Sequence, residues 1–300
     1  MKKEIVNVEF VNCFSQGEFV VTTIADFFAK ESEYNVHPYT PHRLTFFAIV
    51  FFTSGKGIHS IDFTDFEYEG ASLFFICKGQ LHAFEKNEDA QGYVIYFTEE
   101  FINKNVKGLS DKLYYKMFNY ALNSPQLPIS EEDNARKDAI SLFDIMYHEY
   151  SRPDDICQEE IIRGLLGVLL SFVERIQTKN NVFLSDHQAH GLFLNLQKMI
   201  EDKIFESRMS NYYCEQLNVS YKKLNSVCKE FTGMTVRQFI DARLVLEIKR
   251  FLAHCDFSIK EICYKTGFDE PTNMTKFFKS QTGLSPKEFR QTIAKENKKA

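Results

Sequence analysis

Four histidines in the first hundred residues, His37, His42, His59 and His82, are the side chains best suited to ligate a metal or move a proton near neutral pH. No two of them stand one residue apart, so they predict turn or rim histidines and no metal site. The seven cysteines, Cys13, Cys77, Cys157, Cys214, Cys228, Cys255 and Cys263, contain no CxxC pair and are odd in number. Neither a zinc centre nor a disulfide framework is indicated, and a reducing cytosol fits best. No acid/base dyad, nucleophile elbow or phosphate loop is found, so the expectation is a protein that is not an enzyme and uses no cofactor. What remains is cationic chemistry. Residues 1–184 hold 17 Lys and Arg against 27 Asp and Glu, whereas residues 185–300 hold 19 against 14. A basic module joined to an acidic one fits a polyanion binder with a separate second function.

The basic part repeats itself with a period of about fifty residues. Phe231-Thr232-Gly233-Met234-Thr235-Val236-Arg237-Gln238-Phe239 corresponds to Gln281-Thr282-Gly283-Leu284-Ser285-Pro286-Lys287-Glu288-Phe289. Leu224, Val227 and Lys229 correspond to Met274, Phe277 and Lys279. Each copy reads as helix, short turn, helix. In the second, Ser258-Ile259-Lys260-Glu261 is a capping box that starts a helix, and Gly267 can take the left-handed conformation that ends one. The next helix starts around Glu270-Pro271 and runs to Gly283. Ser285 to Glu288 is another capping box, and Thr235 to Gln238 is its counterpart in the first copy. The first copy has a helix from about Ser210 to Leu217, a turn at Asn218-Val219 and a helix from Ser220 to Phe231. Between the copies, Ile240, Leu244, Ile248, Phe251 and Leu252 form one apolar face of a long helix that sets the distance between the two units.

From about Ser207 to Arg290 the chain resembles the DNA-binding domain of the AraC/XylS family of bacterial regulators. The matching residues are Ile259-Lys260-Glu261-Ile262, Gly267-Phe268, Phe278-Lys279, Thr282-Gly283-Leu284-Ser285-Pro286, Phe289-Arg290, and Arg243-Leu244 in the linking helix. Cys214 and Cys263 stand where the family usually has Ala, and Met274 where it usually has Phe, swaps that keep small or apolar residues in core positions. The resemblance implies that the second helix of each unit supplies base contacts, from Lys222, Asn225 and Ser226 in the first copy and Thr272, Asn273 and Lys276 in the second. Lys223, Lys229, Arg237, Lys279 and Lys287 are expected at phosphates, where they set affinity and salt dependence. Two rigidly linked units can enter successive major grooves roughly 34 Å apart.

With 300 residues, 44% of them hydrophobic and 26% charged, the chain has room for two cores. Its first residues lack an apolar signal stretch and no run is long enough to cross a bilayer, so a cytoplasmic protein without membrane contact is expected. From about Val6 to Phe97 short apolar runs separated by turn signals such as Ser54-Gly55-Lys56-Gly57 predict an all-β sandwich or small barrel. Its strands are placed at Phe46–Phe52, Gly57–Phe63, Ser72–Cys77 and Gly92–Phe97. The period then changes, and helices are predicted over Leu113–Leu122, Glu132–Tyr150 and Cys157–Gln177. The last has apolar residues over more than one core-facing stripe, which leaves open burial on several sides or contact with a second subunit.

The stretch with Pro41-His42-Arg43, Ser54-Gly55-Lys56-Gly57 and Lys78-Gly79-Gln80-Leu81-His82 resembles the cupin-like sensory domain found in front of such regulators. The fold class expected is α+β multidomain. A cupin-like β-barrel or sandwich with following helices (1–178) senses and dimerises, residues 179–190 link, and an all-α tandem helix-turn-helix domain (191–300) binds DNA. A small barrel can enclose one ligand between aromatic walls, with His42, Arg43, His59 and His82 as the polar groups nearest the pocket. The function expected is a sequence-specific transcription regulator, by analogy an activator. Its partners are double-stranded promoter DNA, a small-molecule effector, a second copy of the chain and RNA polymerase. Two other readings stay open: a metal-dependent cupin enzyme with an appended DNA-binding domain, and a dimeric regulator whose front domain takes no ligand.

Overall fold

The computed structural model describes residues 7–10, 17–30, 37–87, 89–103, 124–130, 134–152, 156–180, 187–254 and 256–296. The chain divides into two compact units, one within Val6–Phe183 and the other within Leu184–Ala300.

The front unit begins with β1 (Asn7–Val8), β2 (Phe19–Thr23) and the short α1 (Ile24–Ala29), and continues through β3 (His42–Leu44), β4 (Phe47–Ser54) and β5 (Lys56–Ile61). It goes on with β6 (Thr64–Glu69), β7 (Ser72–Ile76), β8 (Leu81–Phe84), β9 (Gln91–Phe97), α2 (Glu99–Asn103) and β10 (Gln126–Pro128). Two helices close it, α3 (Asn134–Tyr150) and α4 (Gln158–Asn180). The strands form two five-stranded sheets, ordered β1-β3-β8-β5-β6 and β10-β7-β4-β9-β2. The second sheet is buried on both faces, which explains why β4 reads as a continuous apolar run. Ala48, Val50 and Phe52 face the space between the sheets, while Phe47, Ile49 and Phe51 pack with Phe143, Met146, Leu166 and Leu169 of the closing helices. The layers are therefore sheet, sheet, helices.

Several elements differ from the expectations. The front segment is not purely β: α1 starts because Thr23 caps it, its Oγ1 accepting from the Asp26 N–H at 3.0 Å and donating to Asp26 Oδ2 at 2.8 Å. The strand placed at Gly57–Phe63 stops at Ile61, because Asp62 and Phe63 both have left-handed φ (47° and 68°) and turn the chain straight into β6. That is a two-residue hairpin turn written without the Asn-Gly or Asp-Gly that usually marks it. The strands β2, β3, β6 and β8 are too short or too mixed to have stood out. The helix placed at Leu113–Leu122 lies outside the described residues. Helices also occupy both ends of the segment read as a linker at 179–190. The helix α4 continues to Asn180 and α5 begins at His187, since a polar Lys-Asn stretch without Pro or Gly does not by itself end a helix. Along α4, Ile162, Leu166, Leu169 and Leu170 are buried, while Ile161 and Val168 of the broad apolar surface are exposed.

The rear unit is all helix: α5 (His187–Lys203), α6 (Ser210–Gln216), α7 (Tyr221–Thr232), α8 (Val236–His254), α9 (Ile259–Lys265), α10 (Pro271–Thr282) and α11 (Pro286–Glu296). The linking helix α8 touches α6, α7, α9, α10 and α11 and is buried nearly all round. Its apolar face is as expected at Ile240, Leu244, Ile248 and Leu252. Its other side is buried too, which is tolerated because the charges pair. Glu247 Oε1 accepts from Arg243 Nη2 at 2.8 Å and from Arg250 Nη1 at 2.5 Å.

Candidate nucleic-acid interface

The helices α7 and α10, second in each helix-turn-helix pair, are built alike. Ser220 caps α7 by accepting from the Lys223 N–H, and Pro271 occupies the first turn of α10. Both end on a left-handed glycine, Gly233 (φ 71°) and Gly283 (φ 78°). All three capping pairs close as the spacing predicts: Ser258 with Glu261, Ser285 with Glu288, and Thr235 with Gln238. The turn before α7 passes through Asn218 at φ 51°, and the one before α10 through Gly267 at φ 75°. Asn is among the few residues with a side chain that accept that conformation readily.

Helical periodicity then decides which side chains meet solvent. Leu224, Val227 and Cys228 in α7, and Met274 and Phe278 in α10, face the core. On the opposite face Lys222, Lys223, Ser226 and Lys229 are exposed, and so are Thr272, Asn273, Lys276 and Lys279 at the matching positions of the second copy. Cys214 and Cys263 are buried, as core replacements for Ala should be. Lys287 is exposed in the first turn of α11.

Two expected DNA contacts are otherwise engaged. Asn225 is half-buried, and its Oδ1 accepts from the Val236 N–H at 3.1 Å, capping the start of α8. Bidentate pairing with adenine needs that oxygen, so in this structure Asn225 is engaged as a helix cap and would have to release Val236 to pair in that way. The sequence held the signal: the second copy has Thr275 and Pro286 at the matching positions, and proline has no N–H to cap. Arg237 donates to Asp241 Oδ2 at 3.0 Å while half exposed, so a phosphate would compete with that exposed, weak pairing. Arg290 was not expected to act within the fold. Its guanidinium donates to the Phe257 carbonyl at 2.7 Å and the Leu252 carbonyl at 3.2 Å, tying α11 to the end of α8.

In the front unit, β3, β8 and β5 are neighbours, and this brings His42, His82 and His59 together although they are far apart in sequence. His42 and His82 are cross-strand partners with ring centroids 4.3 Å apart, and the His59 and His82 rings stack at 5.4 Å. All three are buried, against the expectation of turn or rim histidines: they sit in strands, on the inward face. Arg43, next to His42 in β3, projects to the other side of the strand and is not part of this cluster.

Burial drives the His59 imidazole from 6.5 down to about 3, with the charge of neighbouring His42 acting in the same direction. Burial likewise lowers His82 well below its ordinary value, helped by both other imidazoles, and lowers His42. The unfolded chain binds these protons near pH 6.5 and the folded chain does not, so stability is full above that pH and falls as the pH drops below it. Each neutral buried ring withdraws about 1.4 kcal/mol per pH unit until its folded value is reached. The front unit should therefore show a falling thermal midpoint between pH 6.5 and pH 4.5, where most carboxylates are still ionised. Circular dichroism melts of the native chain and of His59→Phe measure this. A flat native profile over that range would contradict neutral burial of the rings.

A helix-turn-helix domain model matches residues 213–292, and a model of the AraC-like ligand binding domain matches residues 24–166. The HTH-type transcriptional activator RhaS of Salmonella paratyphi A is 23% identical over 254 residues, covering 83% of this chain and 87% of that protein. RhaS of Salmonella arizonae is 22% identical over 252 residues, with the same shares. ToxT from Vibrio cholerae aligns over 91% of this chain and 98% of its own, at 15% identity and a TM-score of 0.43. Among the described residues, no helix is long and apolar enough to cross a membrane.

Proposed function

Since the chain belongs to the AraC/XylS family of DNA-binding transcription regulators, with an AraC-like ligand-binding domain ahead of its helix-turn-helix units, we propose that α7 and α10 read two successive major-groove segments of promoter DNA in the cytosol. The observation that carries this is the matched exposed face of the two helices, with Lys222 and Ser226 in one place and Thr272, Asn273 and Lys276 in the other. Lys and Asn on such a face can address guanine and adenine edges, and Ser or Thr either base. Lys223, Lys229, Lys279 and Lys287 border that face as phosphate partners, and Arg237 joins them when it leaves Asp241. The relationship to activators supports activation through RNA polymerase, under the control of a small molecule bound in the front unit.

Selection of bound sequences from a random duplex pool tests the reading. A bipartite motif with half-sites about one helical turn apart is expected; recovery of no motif with or without effector would refute it. With that operator in hand, Lys276→Ala should lower discrimination against random DNA by about 1–3 kcal/mol. Lys279→Ala should weaken both duplexes alike and reduce the salt slope by about one. Equal behaviour of the two variants would remove the division into base and phosphate contacts.

The front unit is proposed to dimerise. Between α3 and α4 lies a groove of about 410 Å³ lined by Leu142, Ile145, Val168 and Phe172, with Asp138 and Arg175 at its rim. Ile145 and Val168 are about half exposed, at 52% and 53%. Asp138 and Arg175 pair with each other at 3.9 Å, so the apolar floor of the groove is the surface a second copy would cover in a two-fold pair. Val168→Asp should shift sedimentation equilibrium from dimer to monomer without changing the fold; an unchanged mass distribution would place the dimer interface elsewhere.

A further inference from the structure

The three inward histidines form a cluster for which DNA binding has no use. His42 Nδ1 lies 2.9 Å from the Thr40 carbonyl oxygen. A carbonyl only accepts, so this ring carries its proton on Nδ1. His82 Nδ1 and His59 Nε2 are 3.3 Å apart, so one donates and the other accepts. A neutral imidazole has one donor and one acceptor, and both assignments therefore lead to the same result. The donating ring is left with a bare acceptor on its far side, and the accepting ring with an N–H there. Those far-side atoms are His59 Nδ1 and His82 Nε2, and both are buried without a hydrogen-bond partner among the described residues.

An unmet donor and an unmet acceptor on the outer sides of one buried pair are costly to keep unless something binds them. The surroundings are aromatic: His59 stacks on Phe74 at 5.0 Å and meets Phe84 edge-on at 4.6 Å, and His82 lies 5.6 Å from Phe84. Among the described residues, no group of three or more His, Cys, Asp or Glu side chains is arranged to hold a metal ion. Among the described residues, the titratable groups that act on the pair are its own members and His42. Among those residues a carboxylate guest would thus meet no fixed cation there, and an ammonium guest no fixed anion. A hydroxyl, in contrast, can either donate or accept, and so satisfies either nitrogen whichever tautomer is present.

We propose that the His59–His82 pair is the recognition point for an uncharged, hydroxyl-bearing effector whose apolar body lies against the Phe74 and Phe84 rings. The inference rests on the reading of the front unit as effector-binding. It is tested on the full chain labelled with [15N]histidine, in which long-range proton–nitrogen spectra report each ring nitrogen. The probes are benzyl alcohol, benzoate and benzylammonium at pH 7.5, which share one aromatic body and differ in charge. Benzyl alcohol should shift the His59 and His82 nitrogens saturably and bind at least about tenfold more tightly than either ion. The exposed His37 and His148 rings should not respond, and the shift should be lost in His59→Phe. The probe comparison stands on the native protein even where that variant folds poorly. No saturable shift at the pair, or equal shifts with benzoate or benzylammonium, would overturn the proposal. Shifts with benzyl alcohol that leave operator affinity unchanged would uphold the recognition site and refute control of DNA binding through it.

Discussion

Gly267→Ala should destabilise the second helix-turn-helix unit by on the order of 3–5 kcal/mol and abolish operator binding at physiological temperature. Two independent constraints act at this position. The residue has φ 75°, and a Cβ built there would lie 2.4 Å from the Phe205 carbonyl oxygen. Backbone conformation alone costs on the order of 1–2 kcal/mol for a residue with a side chain. The clash adds more because the opposing atom is backbone, anchored just after α5, and cannot rotate away as a side-chain end does. Gly283→Ala is the control: its φ is 78°, but nothing lies within 4 Å of the added methyl. It should cost about 1 kcal/mol and leave binding nearly intact. Chemical denaturation of both variants, read by near-ultraviolet circular dichroism and operator titration, separates the two terms. Equal losses would mean that the Phe205 backbone yields.

Ile248→Asp should cost on the order of 4–5 kcal/mol or more and take both reading units down together. Ile248 is fully buried at the middle of α8, the helix that both units pack against. A carboxylate there has apolar neighbours, whereas Glu247 beside it is tolerated because two guanidinium groups hold it. Ile248→Val, which removes a single methyl group, should cost only about 1 kcal/mol and so reports the packing contribution. Hydrogen exchange resolved along the chain is the direct measurement. Protection should vanish from α6 to α11 in Ile248→Asp and persist in the front unit. Loss confined to one helix-turn-helix unit would show that the two are not coupled through this helix.

The rear unit was largely legible because its boundaries are set by local chemistry. Ser258, Ser285 and Thr235 cap with the residue three positions on, and Gly233, Gly267 and Gly283 end helices or turns through their own φ. Such signals need no partner far away in the chain. The repeat supplied a further check, since one copy tests the other at each position. Read one step further, it would have shown that Asn225 is absent from the second copy just where Pro286 makes a cap unnecessary.

The front unit was legible in its class and not in its interior. Long apolar strands such as β4 and β9 stand out because the second sheet is covered on both faces. The strand β6 and the turn at Asp62-Phe63 do not, because their polar and aromatic mixture fits several conformations. The sequence by itself determined the division into an acidic sheet-rich front and a basic helical rear, the two-copy helix-turn-helix pattern, and the helix faces that carry its lysines, since composition, period and capping act over a few residues. Only the tertiary structure decided that His42, His59 and His82 meet inside the first sheet, that Arg43 does not join them, and that Asn225 caps the next helix. Strand order and the packing of one helix start against another join residues across long separations, and no local pattern of residues encodes that pairing.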